Sequence, residues 1–600
     1  MKKYPPHLLL IAFLLLAACQ KEEEPRWLEV TTESYSGSKV VVDGVASAWA
    51  DGDELRVNST CVTIHKSGDR YYIDATEANA TGVNRALYPA SLSATALTGD
   101  AVTITLPTSY RYRTDGTGHQ LIELPMAACE AAGERLCFKH LTGAMYFTIE
   151  NSYGTTLQLD RLSVTSDNYC LSGSRNIDFG DLTSVEPDDE GGEADHTVSL
   201  LFDDVSLGDG ESLTVIIPVA PVGADNHFTV NVSAHHEGTR YTYSRTQSTG
   251  GALARNQLGY ATTDIETGEN VTTGALFEWE YSYGMYVYHI SSPEEFALMV
   301  DAINNKWSYL NSNKTFYYYK NNFKITRDID MTGYTIPPIT GFNGENFDGN
   351  GHTIHNLTIS SNTGYCGLFK TLSAVTISGL TIDGISLQCS GSDNQYCAPL
   401  ACETSSTSVK YCNISSVSMS ISDNGYNKYI GGLIAKSGSS DTISNCNITQ
   451  SVNISVTNGV IYYGGIVGSA TPAGQSVFIR NCNIDVSGTS LSSNSNIFYG
   501  GVAGYVTANA EIKYCHWEGT STSITSGGTI RLGGLIGRIT STTLTLTSCN
   551  GEGSFTTEQT NSYFGKCCGQ VSIGIGANTF NSCDFSVEVN SVALSSNTGS

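Results

Sequence analysis

Tyr462-Tyr463-Gly464-Gly465-Ile466-Val467-Gly468 decides the architecture, because the chain repeats it with small changes. Related segments are Tyr365-Cys366-Gly367-Leu368-Phe369, Tyr396-Cys397-Ala398-Pro399-Leu400, Tyr429-Ile430-Gly431-Gly432-Leu433-Ile434, Phe498-Tyr499-Gly500-Gly501-Val502-Ala503-Gly504, Arg531-Leu532-Gly533-Gly534-Leu535-Ile536-Gly537 and Tyr563-Phe564-Gly565-Lys566-Cys567-Cys568-Gly569. They recur at about 33 residues, a period that signals a solenoid. From the second segment onward each is followed by a strand carrying a cysteine: Cys412, Cys446, Cys482, Cys515, Cys549 and Cys583.

In a parallel β-helix successive coils lie about 4.8 Å apart, so equivalent residues stack into columns. The cysteines are expected to form a column of small apolar side chains inside the coil. Gly431, Gly464, Gly500, Gly533 and Gly565 mark places where the backbone bends sharply or packs closely without a Cβ. Two positions before the first core glycine, or its equivalent, stand Tyr365, Tyr396, Tyr429, Tyr462, Phe498 and Tyr563, interrupted only by Arg531. The residue after each is apolar too, so strand alternation puts one column inside and the other outside. An outward column suits stacking on sugar rings, and a self-stacked one stiffens the coil; the sequence leaves both readings open.

The whole segment resembles the GLUG repeat of surface adhesins and of some large secreted proteases. The middle copies keep the pattern, while Ala398-Pro399 and Lys566-Cys567-Cys568 depart from it. The expected fold of residues 291–600 is a right-handed parallel β-helix. Its open end needs a cap, because the first coil otherwise exposes apolar core and unpaired strand edges. Ser292-Pro293-Glu294-Glu295 is a helix start, and Phe296, Met299, Val300 and Ile303 repeat at helical spacing, so a capping helix is expected over 292–305. Phe323–Met331 and Phe347–Ile354 read as the opening coil. Seventeen cysteines in an exported chain would ordinarily point to disulfides. Stacked parallel neighbours point their Cβ vectors alike, however, which suits free thiols better. No CxxC pairs or adjacent histidines offer a metal set, and neither a metal nor a cofactor is expected.

The rest of the composition agrees. Six hundred residues correspond to about three to four domains. Charged residues are only 15%, with 61 glycines and 33 tyrosines, a mixture of strands and turns rather than helical bundles. Hydrophobic residues at 40% are too many for a disordered chain. A formal charge of -26 excludes nucleic acid as a partner, since phosphate neutralisation needs lysine and arginine.

At the N-terminus Lys2 and Lys3 precede an apolar run, Leu8 to Leu16, that is too short to span a bilayer and reads as a signal peptide over 1–18. Leu16-Ala17-Ala18-Cys19 resembles a lipobox, which implies acylation of Cys19 and attachment to the outer membrane by lipid. Gln20-Lys21-Glu22-Glu23-Glu24 resembles the surface-export signal of Bacteroidales lipoproteins, within a tether over 19–26.

From Trp27 short alternating runs are broken by Gly, Asp, Asn and Ser, as in Ser38–Gly44 and Leu213-Thr214-Val215-Ile216-Ile217-Pro218, the spacing of a β-sandwich. Trp49-Ala50-Asp51-Gly52-Asp53-Glu54-Leu55-Arg56-Val57, Tyr88-Pro89-Ala90, Val102–Pro107, Leu124–Ala128 and Phe138–Ile149 follow in an order that resembles the fimbrillin family of pilus subunits. That resemblance implies two transthyretin-like β-sandwiches, 27–135 and 136–265, and polymerisation by exchange of a strand between subunits. It also implies a maturation cut after a basic residue, for which Arg56, Arg70 and Arg85 are candidates. Residues 266–290 read as a linker.

The fold class expected is therefore all-β: two sandwiches followed by a parallel β-helix with an N-terminal capping helix. β-Helices also serve as polysaccharide lyases and hydrolases, whose sites need clustered carboxylates. The best such cluster is Asp328, Asp330, Asp348 and His352, in turn-rich sequence where such residues are ordinary. The acidic loop Glu186–Glu190 reads as a solvated loop, with cation binding as its alternative, and His235-His236-Glu237, lacking the second His of a zinc-protease helix, reads as a turn. The expectation is a non-enzymatic surface adhesin, a fimbrial tip or accessory subunit contacting a glycan or host protein. A surface spacer and, behind it, a polysaccharide-active enzyme are the alternatives.

Overall fold

The computed structural model describes residues 27–599 apart from 33–44, 47–48, 50, 69, 75–81, 94–95, 115–119, 132–134, 188–194, 267–270, 283, 312–313, 472–475, 541–542, 560–561 and 573–576. The signal peptide, Cys19, the acidic run Gln20–Glu24 and the expected strand at 38–44 lie outside the described residues. The chain divides into two compact units, one of them essentially residues 1–273 and the other from Gly274 onward. Almost all described elements are strands, with one α-helix among them.

In the first unit, alternating apolar residues build a sheet in the order Thr60–Thr63, Glu54–Val57, Val83–Tyr88, Met126–Ala131, Leu136–His140, Trp27–Thr32, Arg70–Asp74 and His65–Ser67. Trp49 sits in its core, edge-on to Tyr71, Tyr88 and Phe138. Leu136–His140 pairs in parallel with Trp27–Thr32 and antiparallel with Met126–Ala131, so the first sheet continues past residue 135. Conversely, Ala101–Leu106 pairs with Gly173–Asp178, and Ser109–Arg111 adds to Thr197–Leu207. The sandwiches thus share strands instead of meeting at one break. The second is built around Gly143–Ser152, Leu157–Ser166, Ser212–Val219 and Phe228–His236, with Phe147, Leu162, Val164 and Ile217 fully buried.

The second unit is a parallel β-solenoid. One coil shows the plan: Lys428–Gly431, then Ile434–Ser437 after the glycines, then Asp441–Ser444, then Asn447–Thr449 and Asn453–Ser455. Each strand pairs in parallel and in register with its counterparts in the neighbouring coils. The stretch 266–290, expected to be a linker, is largely strand. Met285–Ile290 alternates apolar residues and pairs in parallel with Asn322–Ile325, so the solenoid begins there.

Helix α1, Pro293–Asn304, covers this end as expected. The Ser292 hydroxyl accepts from the Glu295 amide (3.2 Å), and the Glu295 carboxylate accepts from the Ser291 amide (2.8 Å), so both exposed ends of the first turn are satisfied. Phe296, Met299, Val300 and Ile303 are fully buried in the core that continues through the coils.

Candidate functional site

Three of the residue columns read from the sequence are present. Tyr365, Tyr396, Tyr429, Tyr462, Phe498, Arg531 and Tyr563 are consecutive register partners. Their rings stack at centroid separations of 4.9, 4.8, 4.8 and 5.0 Å from Tyr365 to Phe498, with interplanar angles of 13°, 7°, 10° and 13°. Arg531 is not a gap: its guanidinium lies over Phe498 at 4.9 Å and over Tyr563 at 5.4 Å. Lys370 lies 4.6 Å over Tyr365 at the other end. Ring faces within the column are therefore occupied by neighbours, and edges and hydroxyls are what it presents. Burial raises the Tyr429 hydroxyl and pushes that of Tyr462 up to about 12, so both remain protonated donors at neutral pH.

The next outward column, on the strands after the glycines, was not singled out from the sequence. It runs Thr371, Glu403, Lys436, Ser469, Tyr505, Arg538 and Gln570. It borders the ladder: Tyr505 lies 5.7 Å from Tyr462 and 5.6 Å from Phe498, and Lys436 lies 5.6 Å over Tyr396. Lys436 is paired to Glu403 at 3.0 Å. Arg531 donates to the Gln570 amide oxygen, and Arg538 to the Ser572 hydroxyl at 3.4 Å. The signal was there in the residue four or five places after the core glycine.

The glycines explain why the two columns are close. A Cβ on Gly468 would stand 2.7 and 2.8 Å from the backbone N and O of Ile430, and one on Gly504 would stand 2.7 Å from those of Tyr463. A Cβ on Gly431, Gly464, Gly500, Gly533 or Gly565 would run into the carbonyl three residues on. The two ladders approach backbone to backbone, at a distance only glycine permits.

Cys412, Cys446, Cys482, Cys515 and Cys549 are buried, and Cys583 is half-buried in the last coil. Each follows a residue with left-handed backbone: Tyr411, Asn445, Asn481, Tyr514, Ser548 and Ser582, with φ of 50 to 56°. Each thiol approaches the carbonyl two residues back, from 3.2 Å at Cys482 to 3.5 Å at Cys412. Each of these carbonyls also accepts a backbone N–H from the preceding coil, so the small, weakly donating thiol adds a second contact at the turn. All sixteen described cysteines are free. The residues after them form an exposed ladder that the sequence reading also passed over: Asn447 donates to Asn413 at 2.8 Å and Asn483 to Asn447 at 3.0 Å.

The carboxylates weighed as a catalytic cluster serve turns. Asp328 accepts from the Thr353 amide (2.9 Å) and pairs with His352 (3.1 Å). Asp330 accepts from Thr332 and Asn356, and Asp348 from the Asn350 amide. Backbone donation from Thr353 lowers the Asp328 carboxyl, and donation from Asn356 lowers that of Asp330. Among the described residues no group of three or more His, Cys, Asp or Glu is placed to hold a metal ion. In the sandwich unit His235 pairs with Asp160 at 2.6 Å. A cavity of about 220 Å³ in that unit is lined by Asp53, Tyr88, Tyr110, Arg113 and Glu123 among others. The Tyr88 hydroxyl donates to Asp53 at 2.8 Å, and burial raises the Glu123 carboxyl despite Arg113.

No family model matches the chain, and no curated protein matches it. Among solved structures it is similar to a candidate cell adhesion protein from Bacteroides ovatus, at 14% identity and a TM-score of 0.27 over 42% of this chain and 96% of that one. A candidate cell adhesion protein from Bacteroides uniformis shows 12% identity and a TM-score of 0.25 over 42% and 97%. An IgA1 protease shows 16% identity and a TM-score of 0.30 over 60% of this chain and 27% of its own.

Proposed function

We propose that the protein is a lipid-anchored surface adhesin in which the sandwich unit carries the solenoid and the solenoid makes the contact. The observation that carries this reading is the pair of adjoining outward columns, Tyr365 to Tyr563 and Thr371 to Gln570. They are in register over seven coils and, apart from the buried Phe498 and Ser469, present hydroxyls, ring edges and cations in a row. Such a row matches a ligand with its own repeat. The carboxylates best placed for hydrolysis are engaged in turns, which supports binding over catalysis. The apolar leader ending in Cys19, with its acidic run, supports export and anchoring in the outer membrane. A fimbrial tip or accessory role is the finer reading: Trp27–Thr32 lies between Leu136–His140 and Arg70–Asp74, so its removal would open a strand-wide slot for a neighbouring subunit.

The test is binding of the full chain, made without residues 1–18, to a panel of host glycans, mucins and matrix proteins. Saturable binding that Tyr429→Ala or Lys436→Gln weakens supports an adhesin. Absence of binding to the whole panel by folded protein turns the reading to a surface spacer.

A further inference from the structure

The chain carries a charge of -26, yet its acids are not spread evenly over the solenoid. On the strands that follow the cysteines, Asp485, Glu518 and Glu552 are register partners on successive coils, and Asp584 closes a neighbouring column. The two adjoining columns described above differ. In their fourteen positions the only acid is Glu403, already paired to Lys436, while Arg531 and Arg538 have no carboxylate among the described residues. Lys370, over Tyr365, adds a further cation at the far end. The pairing elsewhere is instructive: Arg480 and Lys513 share Glu511 on another face.

Arg531 and Arg538 are held in place. The first stacks between Phe498 and Tyr563, and the second lies 5.8 Å over Tyr505. Each lies close enough to feel the other's charge, and neither has a carboxylate partner among the described residues. Two neighbouring guanidiniums without a counter-ion are a costly arrangement that an anion relieves, and guanidinium forks fit carboxylate and sulfate oxygens. Tyr462 and Tyr505 add hydroxyls along the same edge, and at about 4.8 Å per coil the seven coils span roughly 29 Å, the length of several sugar units.

We infer that this strip is the binding surface for an acidic glycan lying along the solenoid axis, with Arg531 and Arg538 taking a carboxylate or sulfate group. The inference rests on the reading of the solenoid as the contact module and adds the class of ligand. It separates two features that the aromatic column alone merges: the stacked rings make the rigid bed, and the cations select the charge.

The experiment measures affinity of the full chain, made without residues 1–18, for heparan sulfate, hyaluronate and dextran as salt is raised. Binding to one or both acidic polymers, not to dextran, weakening with salt, is expected. Arg538→Gln and Arg531→Gln are each expected to weaken it at least tenfold, and Arg480→Gln, on another face, to leave it unchanged. Preference for heparan sulfate assigns a sulfate, and preference for hyaluronate a carboxylate. Arg538→Gln with an unaltered melting temperature keeps loss of binding apart from loss of fold, and Lys436→Gln supplies a second readout. Affinity in both arginine variants equal to that of the parent, or binding to neither acidic polymer, overturns the inference. If neutral glycans or a matrix protein bind in that second case, the adhesin reading survives; if nothing binds, it fails as well.

Discussion

The guanidinium of Arg531 lies 4.9 Å from the ring centroid of Phe498, the distance at which the tyrosines of the same column lie from one another. A planar cation replaces a ring without breaking the stack. Removing it uncovers two aromatic faces. Arg531→Ala is therefore expected to destabilise the solenoid by about 1 to 2 kcal/mol, the worth of a partly desolvated cation–π contact on each face. Arg531→Tyr should retain most of that stability. Urea denaturation of the two variants beside the parent measures the difference, and equal losses would show that the stack does not run through this position.

The cysteine column makes a chemical prediction. Buried thiols facing carbonyls are shielded from reagents, and although neighbouring thiols of the column touch, stacking in register points their Cβ vectors alike, which suits a disulfide poorly. Burial also pushes the Cys567 thiol up to about 12 and raises those of Cys402 and Cys568. In folded protein, thiol titration should label the exposed Cys61 quickly and the column from Cys412 to Cys549 only after denaturant is added. Mass spectrometry without reductant should find no bond within that column.

The column residues were readable from the sequence because a solenoid turns sequence period into spatial stacking. The tyrosines, the cysteines and the helix start at Ser292 needed only register and capping rules. What escaped depended on distance between chain segments. Gly468 and Gly504 look like any turn glycine until the facing backbones of Ile430 and Tyr463 are placed. Arg531 looks like an interruption until its guanidinium is placed over the rings of Phe498 and Tyr563. Met285–Ile290 reads as linker because its partner, Asn322–Ile325, follows only after α1 and an inserted hairpin. In the sandwich unit, Ala101–Leu106 reads as part of the first sandwich, and only pairing with Gly173–Asp178 assigns it to the second.

Turn aspartates set the response to acid. Donation from the Thr353 amide lowers the Asp328 carboxyl, and donation from Asn356, Ser415 and Thr457 lowers those of Asp330, Asp383 and Asp423. A carboxyl lowered in the folded state stabilises it above the unfolded value of about 3.9, and that contribution is lost as pH falls through the lower folded value. Melting temperature should therefore hold between pH 7 and 5 and fall below about pH 4. Asp383→Asn, which keeps an acceptor for Ser415 but cannot ionise, should show a shallower fall. A melting temperature that rises on acidification would contradict this assignment.

A close approach between the backbones of two ladders yields a sharp mutational contrast. A methyl group at Gly504 would stand 2.6 Å from the Gly468 carbonyl and 2.7 Å from the N and O of Tyr463, all backbone atoms that cannot swing aside. Both ladders would have to separate, and every coil stacked on them would follow. Gly425 is different: its φ of 78° favours glycine, but an added Cβ there meets nothing within 4 Å. Gly425→Ala should therefore cost only the left-handed backbone penalty, about 1 kcal/mol. Gly504→Ala should cost about 3 kcal/mol or prevent folding, as overpacking does where neighbours are rigid. Urea midpoints of the two variants decide the matter. A loss at Gly504 no greater than at Gly425 would mean that the ladders have slack between them, and the two outward columns would then not be held at the spacing that a repeating ligand requires.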